Sequence, residues 1–538
     1  MEIEFGTSGW RGKIADDFTY ENVKIVSQAI CNFLNEKYTD GNDNDNDNDN
    51  DNDNKYINNT NIANNINNTG NTNNNKFDGN KAESPVQKND LKNNLAKTII
   101  IGYDTRFLSE EFAKCASEVF CANGFHVLYC ESFTPTPVLA IAILKEKAIG
   151  AVNITASHNP YNYSGIKFSP DWGGPALPED TIVITNKSNE LLKNPNYKFI
   201  EFNEAKNKFL LKEVSFIDYY INLIENKIDF NLIKSNGNIF IFLNPMHGTS
   251  NGVIDKVLKK NGVNFNILNF QRDAFFGDGK APDPSDKNLT DLKLKIKEYN
   301  NKNNDINQKI ALGLATDGDA DRYGIIDEEG KFVEPNIILP MLYNYYISGK
   351  GIKGDAARSV ATSALIDRVA RKYGFKIHET PVGFKYLGKL ISEKKVIMAG
   401  EESSGLTVID HTPDKDGIFT CLLILEMVSF YKKPLNLLVK EFLDEFGPIF
   451  TKRINEPVDK AKFKATIDNK MNSFPSNFEG KKVINKSFVD GYKIFFEDDA
   501  WLLARLSGTE DVMRIYGEAD TLDNLNLLIK SFKNYLNN

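Results

Sequence analysis

A short apolar run followed by a helical stretch recurs through most of this chain, and that alternation narrows the choice of fold more than any other feature. Residues 98–103, 110–123 and 126–130 make one such unit, 238–243, 252–261 and 264–269 a second, and 359–361, 363–373 and 376–379 a third. Strands that alternate with helices pack as largely parallel sheets covered by helices, with ligands held at the C-terminal ends of the strands. The stretch 446–538 breaks the pattern: strand-like runs at 492–496, 501–506 and 512–518 precede an amphipathic helix, which reads as a smaller α+β unit. A chain of 538 residues is too long for one hydrophobic core. The divisions are placed at 1–207, 208–331, 332–445 and 446–538.

Between residues 40 and 94 the sequence becomes low-complexity, opening with Asn/Asp alternation over 42–54. Such a stretch has too little apolar surface to offset the entropy of ordering its backbone, so it reads as a disordered insertion. Its flanks are a helical pattern at 19–38 and a β-rich run at 97–103, so it lengthens one connection, where added residues cost little closure entropy. A weak cation buffer is the rival reading, without any defined ligand geometry. Lys and Arg number 65 against 73 Asp and Glu. That mild acidic excess excludes a general attraction to nucleic acid or an anionic membrane, and any anion must be gripped by a local cluster. The five cysteines, Cys31, Cys115, Cys121, Cys130 and Cys421, show no CxxC spacing, which fits a reduced, cytoplasmic compartment. No apolar run approaches the ~18 residues of a membrane span, and the first residues lack a basic, then apolar, leader pattern. Neither secretion nor membrane insertion is expected.

Five polar segments carry the chemistry. After the apolar run 148–154 comes Thr155-Ala156-Ser157-His158-Asn159-Pro160, a hydroxyl nucleophile on a strand-end turn, with His158 beside it and Lys167 ten residues on; plain turn chemistry is the alternative. No GxSxG elbow is present. After the run 310–315 comes Thr316-Asp317-Gly318-Asp319-Ala320-Asp321-Arg322. Three alternating carboxylates repel one another unless a cation sits among them, and all-oxygen ligation selects a hard ion such as Mg²⁺. An EF-hand needs glycine at the sixth position, where Arg322 stands; a solvated acidic turn is the other alternative. Gly400-Glu401-Glu402-Ser403-Ser404-Gly405 offers carboxylate and hydroxyl groups that suit sugar hydroxyls, or is merely a polar turn. Arg505-Leu506-Ser507-Gly508-Thr509-Glu510, with Arg514 beyond, reads as a phosphate cradle, against a hairpin turn with two surface arginines. Gly6-Thr7-Ser8-Gly9-Trp10-Arg11-Gly12 permits close approach of an anion that Arg11 would pair.

In this order the five segments resemble the α-D-phosphohexomutase family, the phosphoglucomutase and phosphomannomutase enzymes, over the whole chain apart from the insertion. Gly102-Tyr103-Asp104-Thr105-Arg106, Pro245-Met246-His247-Gly248, Gly383-Phe384-Lys385 and Lys415-Asp416-Gly417 strengthen the likeness. The resemblance implies an α/β fold: three similar α/β domains with mixed, mainly parallel sheets and a smaller C-terminal α+β domain, around a central cleft. It implies a phosphorylated Ser157 and one Mg²⁺ per chain on Asp317, Asp319, Asp321 and an oxygen of that phosphate. It further implies transfer to a hexose monophosphate, a hexose 1,6-bisphosphate intermediate that also serves as activator, and return of the other phosphate to Ser157. Arg505, Ser507, Gly508, Thr509 and Arg514 would anchor the distal phosphate. Glu401 and Ser403 would grip the ring, with Gly383, Phe384 and Arg322 on the same walls. Lys167 and Lys415 are the candidates for moving the hydroxyl proton, and Arg11 and His158 for stabilising charge. Ser404 stands where many relatives carry another residue, so it does not reveal the sugar, whereas Gly400-Glu401-Glu402-Ser403 with Lys415-Asp416-Gly417 leans towards glucose. The alternatives are a phosphomannomutase or other sugar-phosphate mutase, a metal-dependent phosphatase, and an inactive sugar-phosphate-binding protein. Small sugar phosphates are the expected partners of a monomer or homodimer, with no nucleic acid and no membrane.

Overall fold

The computed structural model describes residues 2–6, 9–39, 97–237, 239–302, 310–507 and 511–537. The insertion expected over 40–94, together with Thr7, Ser8, Gly508 and Thr509, lies outside the described residues.

The first sheet contains β1 (Trp10–Lys13), β2 (Thr98–Tyr103), β3 (His126–Cys130), β4 (Gly150–Ile154), β5 (Tyr163–Pro170) and β6 (Leu211–Val214), in the order β1-β5-β4-β2-β3-β6. The second contains β7 (Ile239–Asn244), β8 (Phe265–Ile267), β9 (Ile310–Thr316) and β10 (Tyr323–Ile326), in the order β10-β9-β7-β8. The third contains β11 (Ala356–Ser359), β12 (Ile377–Thr380), β13 (Met398–Glu401) and β14 (Gly405–Val408), in the order β12-β11-β13-β14. One four-strand core is common to all three. The first and second strands pair in parallel, the third joins the first in parallel, and the fourth returns antiparallel to the third. Helices cover both faces, so β2 is buried at every position and reads as a continuous apolar run instead of an alternation.

Two sequence boundaries shift. The strand expected over 359–361 is Ala356–Ser359, and the run expected over 395–399 is Met398–Glu401. In the first case Arg358 disguises a buried strand: its guanidinium meets Asp367 at 2.7 Å and Glu379 at 2.6 Å, partners that lie on later elements of the unit.

One apolar cluster runs from Ile100 and Leu128 through Ile241 and Leu312 to Leu339 and Leu422, uniting the three α/β units. Its centre is the helix Gly417–Tyr431, buried continuously from Gly417 to Ser429. The C-terminal unit has its own core, built on a sheet ordered β15 (Phe450–Pro457), β20 (Val512–Ala519), β19 (Trp501–Leu506), β18 (Tyr492–Phe496), β17 (Lys481–Ser487) and β16 (Asn477–Phe478). It meets the third unit through Trp501, Leu503 and Tyr516 against Val360 and Ala361.

Beside that patch Lys493 is 1% exposed and donates to the Val360 carbonyl and to Glu379, each at 2.7 Å. Burial and the nearby Arg358 charge push its ammonium down to about 8, although Glu379 opposes the shift. Because the native value lies below the ordinary 10.5, the unfolded chain binds the extra proton between about 8 and 10.5, and stability rises with pH across that window. Lys493→Met is expected to remove about 3 kcal/mol of that rise, measured as the wild-type-minus-variant difference in urea midpoints at the two ends of the window. A pH-independent difference would contradict the assignment.

Candidate active site

The three repeated cores place their polar segments at one topological point, the turn between the third and fourth strands. Residues 155–162 join β4 to β5, 317–322 join β9 to β10, and 402–404 join β13 to β14. In the C-terminal unit residues 507–511 join β19 to β20. The acidic segment is therefore a β-hairpin, with Tyr323 paired to Thr316, and not the helix-flanked loop of an EF-hand.

Ser157 is 1% exposed and its Oγ donates to Asp317 Oδ2 at 2.8 Å. Its φ of +51° lies in the left-handed region, which costs a non-glycine residue on the order of 1 kcal/mol or more. The offsetting contacts come from Arg106, the last residue of the segment Gly102 to Arg106. Arg106, fully buried, donates Nη2 to the carbonyls of Ser157 (2.6 Å) and Asn159 (2.7 Å), and Nη1 to those of Pro160 (2.7 Å) and Tyr163 (3.0 Å). Its Nε goes to Asp104 Oδ2 at 3.0 Å, which also accepts from Thr155 Oγ1 at 2.6 Å. Thr155 Oγ1 in turn accepts from the Ser157 amide at 2.9 Å. The Ser157 backbone is thus held from both sides by a buried ion pair. The signal was available, since a charged pair directly follows the fully buried β2.

Asp317, Asp319 and Asp321 are all buried, and one oxygen from each lies within 4.8 Å of the others. Gly318 lets the two hairpins touch, because a Cβ there would stand 2.7 Å from the Ser157 carbonyl. Lys167, on β5, donates to Asp319 Oδ2 at 2.5 Å and to Asp321 Oδ2 at 2.9 Å; Lys415 reaches Asp321 Oδ2 at 3.2 Å. Thr136, a further residue missed from sequence, donates to Asp319 Oδ2 at 2.6 Å. Burial acts to raise all three acids, and neighbouring carboxylates add to it for Asp317 and Asp319. Lys167 reverses this for Asp319, Lys167 and Lys415 reverse it for Asp321, and Asp317, without a lysine partner, stays well above the usual range. Burial alone would lower both lysines, but the aspartates outweigh it and hold them above the ordinary lysine value. Asp319 Oδ1 and Asp321 Oδ1 are buried with no hydrogen-bond partner among the described residues. Three clustered carboxylates with such oxygens fit a hard divalent cation.

Arg11, on β1 beside β5, donates to Asn159 Oδ1 at 2.7 Å. The Arg322 charge, burial and Arg11 together hold His158 well below its ordinary value, so it is neutral, with Nδ1 3.4 Å from Ser157 Oγ. The Arg322 amide donates to Asp317 Oδ1 at 3.0 Å. Its carbonyl lies so close to Gly417 that a Cβ there would be 2.2 Å away, which presses the acidic hairpin onto the start of the buried helix. Lys415 also sits 5.1 Å over the Phe384 ring. Glu401, at the end of β13, accepts from the Gly383 amide at 3.0 Å, with Ser403 Oγ 3.4 Å from its other oxygen. The Val382 amide donates to Asp490, which accepts from Arg505 Nε at 2.7 Å. Arg505 pairs with Arg514 across β19 and β20, and Ser507 follows at the strand end. A continuous line of contacts thus runs from Ser157 through the acidic hairpin, Lys415 and Phe384 to Gly383, and on to Arg505.

Profiles described as phosphoglucomutase/phosphomannomutase α/β/α domains I, II and III match residues 82–194, 218–330 and 334–446, and the profile of that family's C-terminal domain matches 456–534. A probable phosphoglucosamine mutase of Methanosphaera stadtmanae is 30% identical over 444 residues, 82% of this chain and 90% of that one. A phosphoglucomutase of Komagataeibacter xylinus is 29% identical, covering 78% and 80%. The crystal structure of a putative phosphomannomutase from Thermus thermophilus superposes with a TM-score of 0.74 at 25% identity, covering all of both chains. Fold and relatives together define an isomerase of the phosphohexomutase class. The chain belongs to the phosphoglucomutase/phosphomannomutase family. Among the described residues no helix is long and apolar enough to cross a membrane, and all five cysteines are free and buried.

Proposed function

We propose that this enzyme interconverts hexose 1-phosphate and hexose 6-phosphate, with glucose as its principal sugar, by carrying a phosphoryl group on Ser157. The observation that carries the reading is Ser157 Oγ at 2.8 Å from Asp317 within a buried three-carboxylate cluster. Asp317, Asp319 and Asp321 would hold Mg²⁺, which withdraws charge from a transferring phosphoryl group.

In the first half-cycle the Ser157 Oγ–P bond breaks, a bond from phosphorus to a sugar hydroxyl oxygen forms, and the hydroxyl proton leaves to a nearby base; in the second a sugar O–P bond breaks, the Ser157 Oγ–P bond forms again, and the freed sugar oxygen takes up a proton. Lys167 and Lys415 stand beside the cluster; the aspartates hold both protonated, so either would take the hydroxyl proton only once a cation on those carboxylates removes that stabilisation. Neutral His158 and cationic Arg11 and Arg322 lie on the Ser157 side to stabilise charge. Glu401 and Ser403 grip ring hydroxyls, Gly383 and Phe384 form the wall, and Arg505, Ser507, Gly508, Thr509 and Arg514 anchor the phosphate that is not reacting. Reorientation of a hexose 1,6-bisphosphate then returns the other phosphate to Ser157, with no net hydrolysis. The buried thiols fit a cytoplasmic enzyme, acting as a monomer or homodimer on small sugar phosphates without nucleic acid or membrane.

Glucose is favoured by Gly400-Glu401-Glu402-Ser403 with Lys415-Asp416-Gly417, while the relatives' names span glucosamine, glucose and mannose. The 1-phosphates of glucose, mannose and glucosamine, assayed side by side with Mg²⁺ and a bisphosphate activator, should show the highest kcat/KM for glucose and almost no free phosphate. Preference for another sugar would overturn the glucose assignment, and steady phosphate release would make the protein a phosphatase.

A further inference from the structure

Asp490 stands between two substrate-binding elements of different units and belongs to none of the five polar segments. One of its oxygens, Oδ2, accepts from Arg505 Nε at 2.7 Å and from the Val382 amide at 2.9 Å. The next amide, that of Gly383, donates to Glu401 at 3.0 Å. Successive amides of one short segment thus hold a carboxylate of the C-terminal unit and the ring-gripping carboxylate of the third unit. The turn that carries Asp490 is pressed against Arg505's own strand: Gly491 has φ +92°, and a Cβ there would lie 2.5 Å from the Ala504 carbonyl.

An exposed ion pair would carry little weight. This one is largely sheltered, with the Arg505 and Asp490 side chains 13% and 23% exposed. Arg505 engages Asp490 through Nε, and its two terminal nitrogens take no hydrogen bond among the described residues. A guanidinium fixed at Nε presents those nitrogens as a rigid fork, the geometry that meets a phosphate in two parallel bonds.

We propose that Asp490 is a positioning residue that aims the Arg505 fork and sets the spacing between the phosphate anchor and the sugar loop. This rests on the reading of Arg505 as a phosphate anchor. Because each orientation of the substrate uses the same anchor, Asp490 acts equally on both directions of the reaction.

The test compares Asp490→Ala, Asp490→Asn, Arg505→Ala and the Asp490→Ala/Arg505→Ala double variant, with glucose 1-phosphate and glucose 6-phosphate as separate substrates and thermal midpoints recorded. Asp490→Ala is expected to raise KM about tenfold for both substrates, the loss of one charge-assisted contact, and to change kcat less than about threefold. Asp490→Asn, which keeps an acceptor oxygen for both donors, should recover most of the affinity. In the double variant the Asp490 change should add less than about twofold to the effect of Arg505→Ala, since it acts through that side chain. If Asp490→Ala does not fold, Asp490→Ser takes its place. Unchanged KM in Asp490→Ala alongside raised KM in Arg505→Ala would overturn the positioning role alone. Unchanged KM in Arg505→Ala would overturn the anchor reading and this inference with it.

Discussion

Ser157→Ala should lower turnover at least about 10³-fold and abolish phosphorylation of the protein by a glucose bisphosphate. The size follows from what is removed. Alanine lacks the atom that carries the phosphoryl group but keeps everything that shapes the turn. Arg106 grips the Ser157 carbonyl and Thr155 Oγ1 takes the Ser157 amide, so both anchors are main-chain contacts that survive the substitution. The lost side-chain contacts are the hydroxyl on Asp317 and the longer approach to His158. A thermal midpoint close to that of the wild type is therefore expected beside the collapse in turnover. The measurement is a coupled mutase assay with intact-mass analysis after incubation with the bisphosphate. Near-full turnover, or a phosphoryl group still acquired at another residue, would end the phosphoserine cycle.

The contrast between Ser157 and Arg106 also shows what local sequence conveys. Ser157, the aspartates and Glu401 announce themselves because each brings a hydroxyl or carboxylate to the end of an apolar run, and the fold repeats that arrangement at equivalent hairpins. The strands Thr98–Tyr103 and Trp501–Leu506 are readable to the residue, the first because a strand buried on both faces leaves an uninterrupted apolar run. Asp490 carries no such mark, and Arg106 only the weaker one of a charged pair with Asp104 directly after a buried strand. Besides Asp104 and Arg505 respectively, their partners are carbonyls 51 to 57 residues away for Arg106 and an amide 108 residues away for Asp490. Backbone acceptors have no residue type, so no motif records them. The misplaced third-unit strand has the same origin: Arg358 looks like a loop residue until Glu379 and Asp367 are folded against it.

That dependence on distant partners sets the second large effect, at Asp317. Of the three clustered carboxylates it alone lacks a lysine: Lys167 serves Asp319 and Asp321, and Lys415 serves Asp321. A buried carboxylate beside two others is costly unless a cation joins them. Asp317→Asn removes that charge while its amide retains an acceptor for Ser157 or for the Arg322 amide. In chelator the variant is therefore expected to melt at or above the wild-type midpoint. Added Mg²⁺ should raise the wild type by several degrees, because a ligand that binds only the folded state stabilises it by mass action, and should leave the variant nearly unmoved. The order of the two midpoints thus reverses between chelator and Mg²⁺. Turnover should fall by about 10²-fold or more, since charge stabilisation at the transferring group is lost. The two readouts separate the causes, because a variant that is merely misfolded would melt low in both conditions. A variant that responds to Mg²⁺ as the wild type does would remove Asp317 from the ion site, whatever its activity.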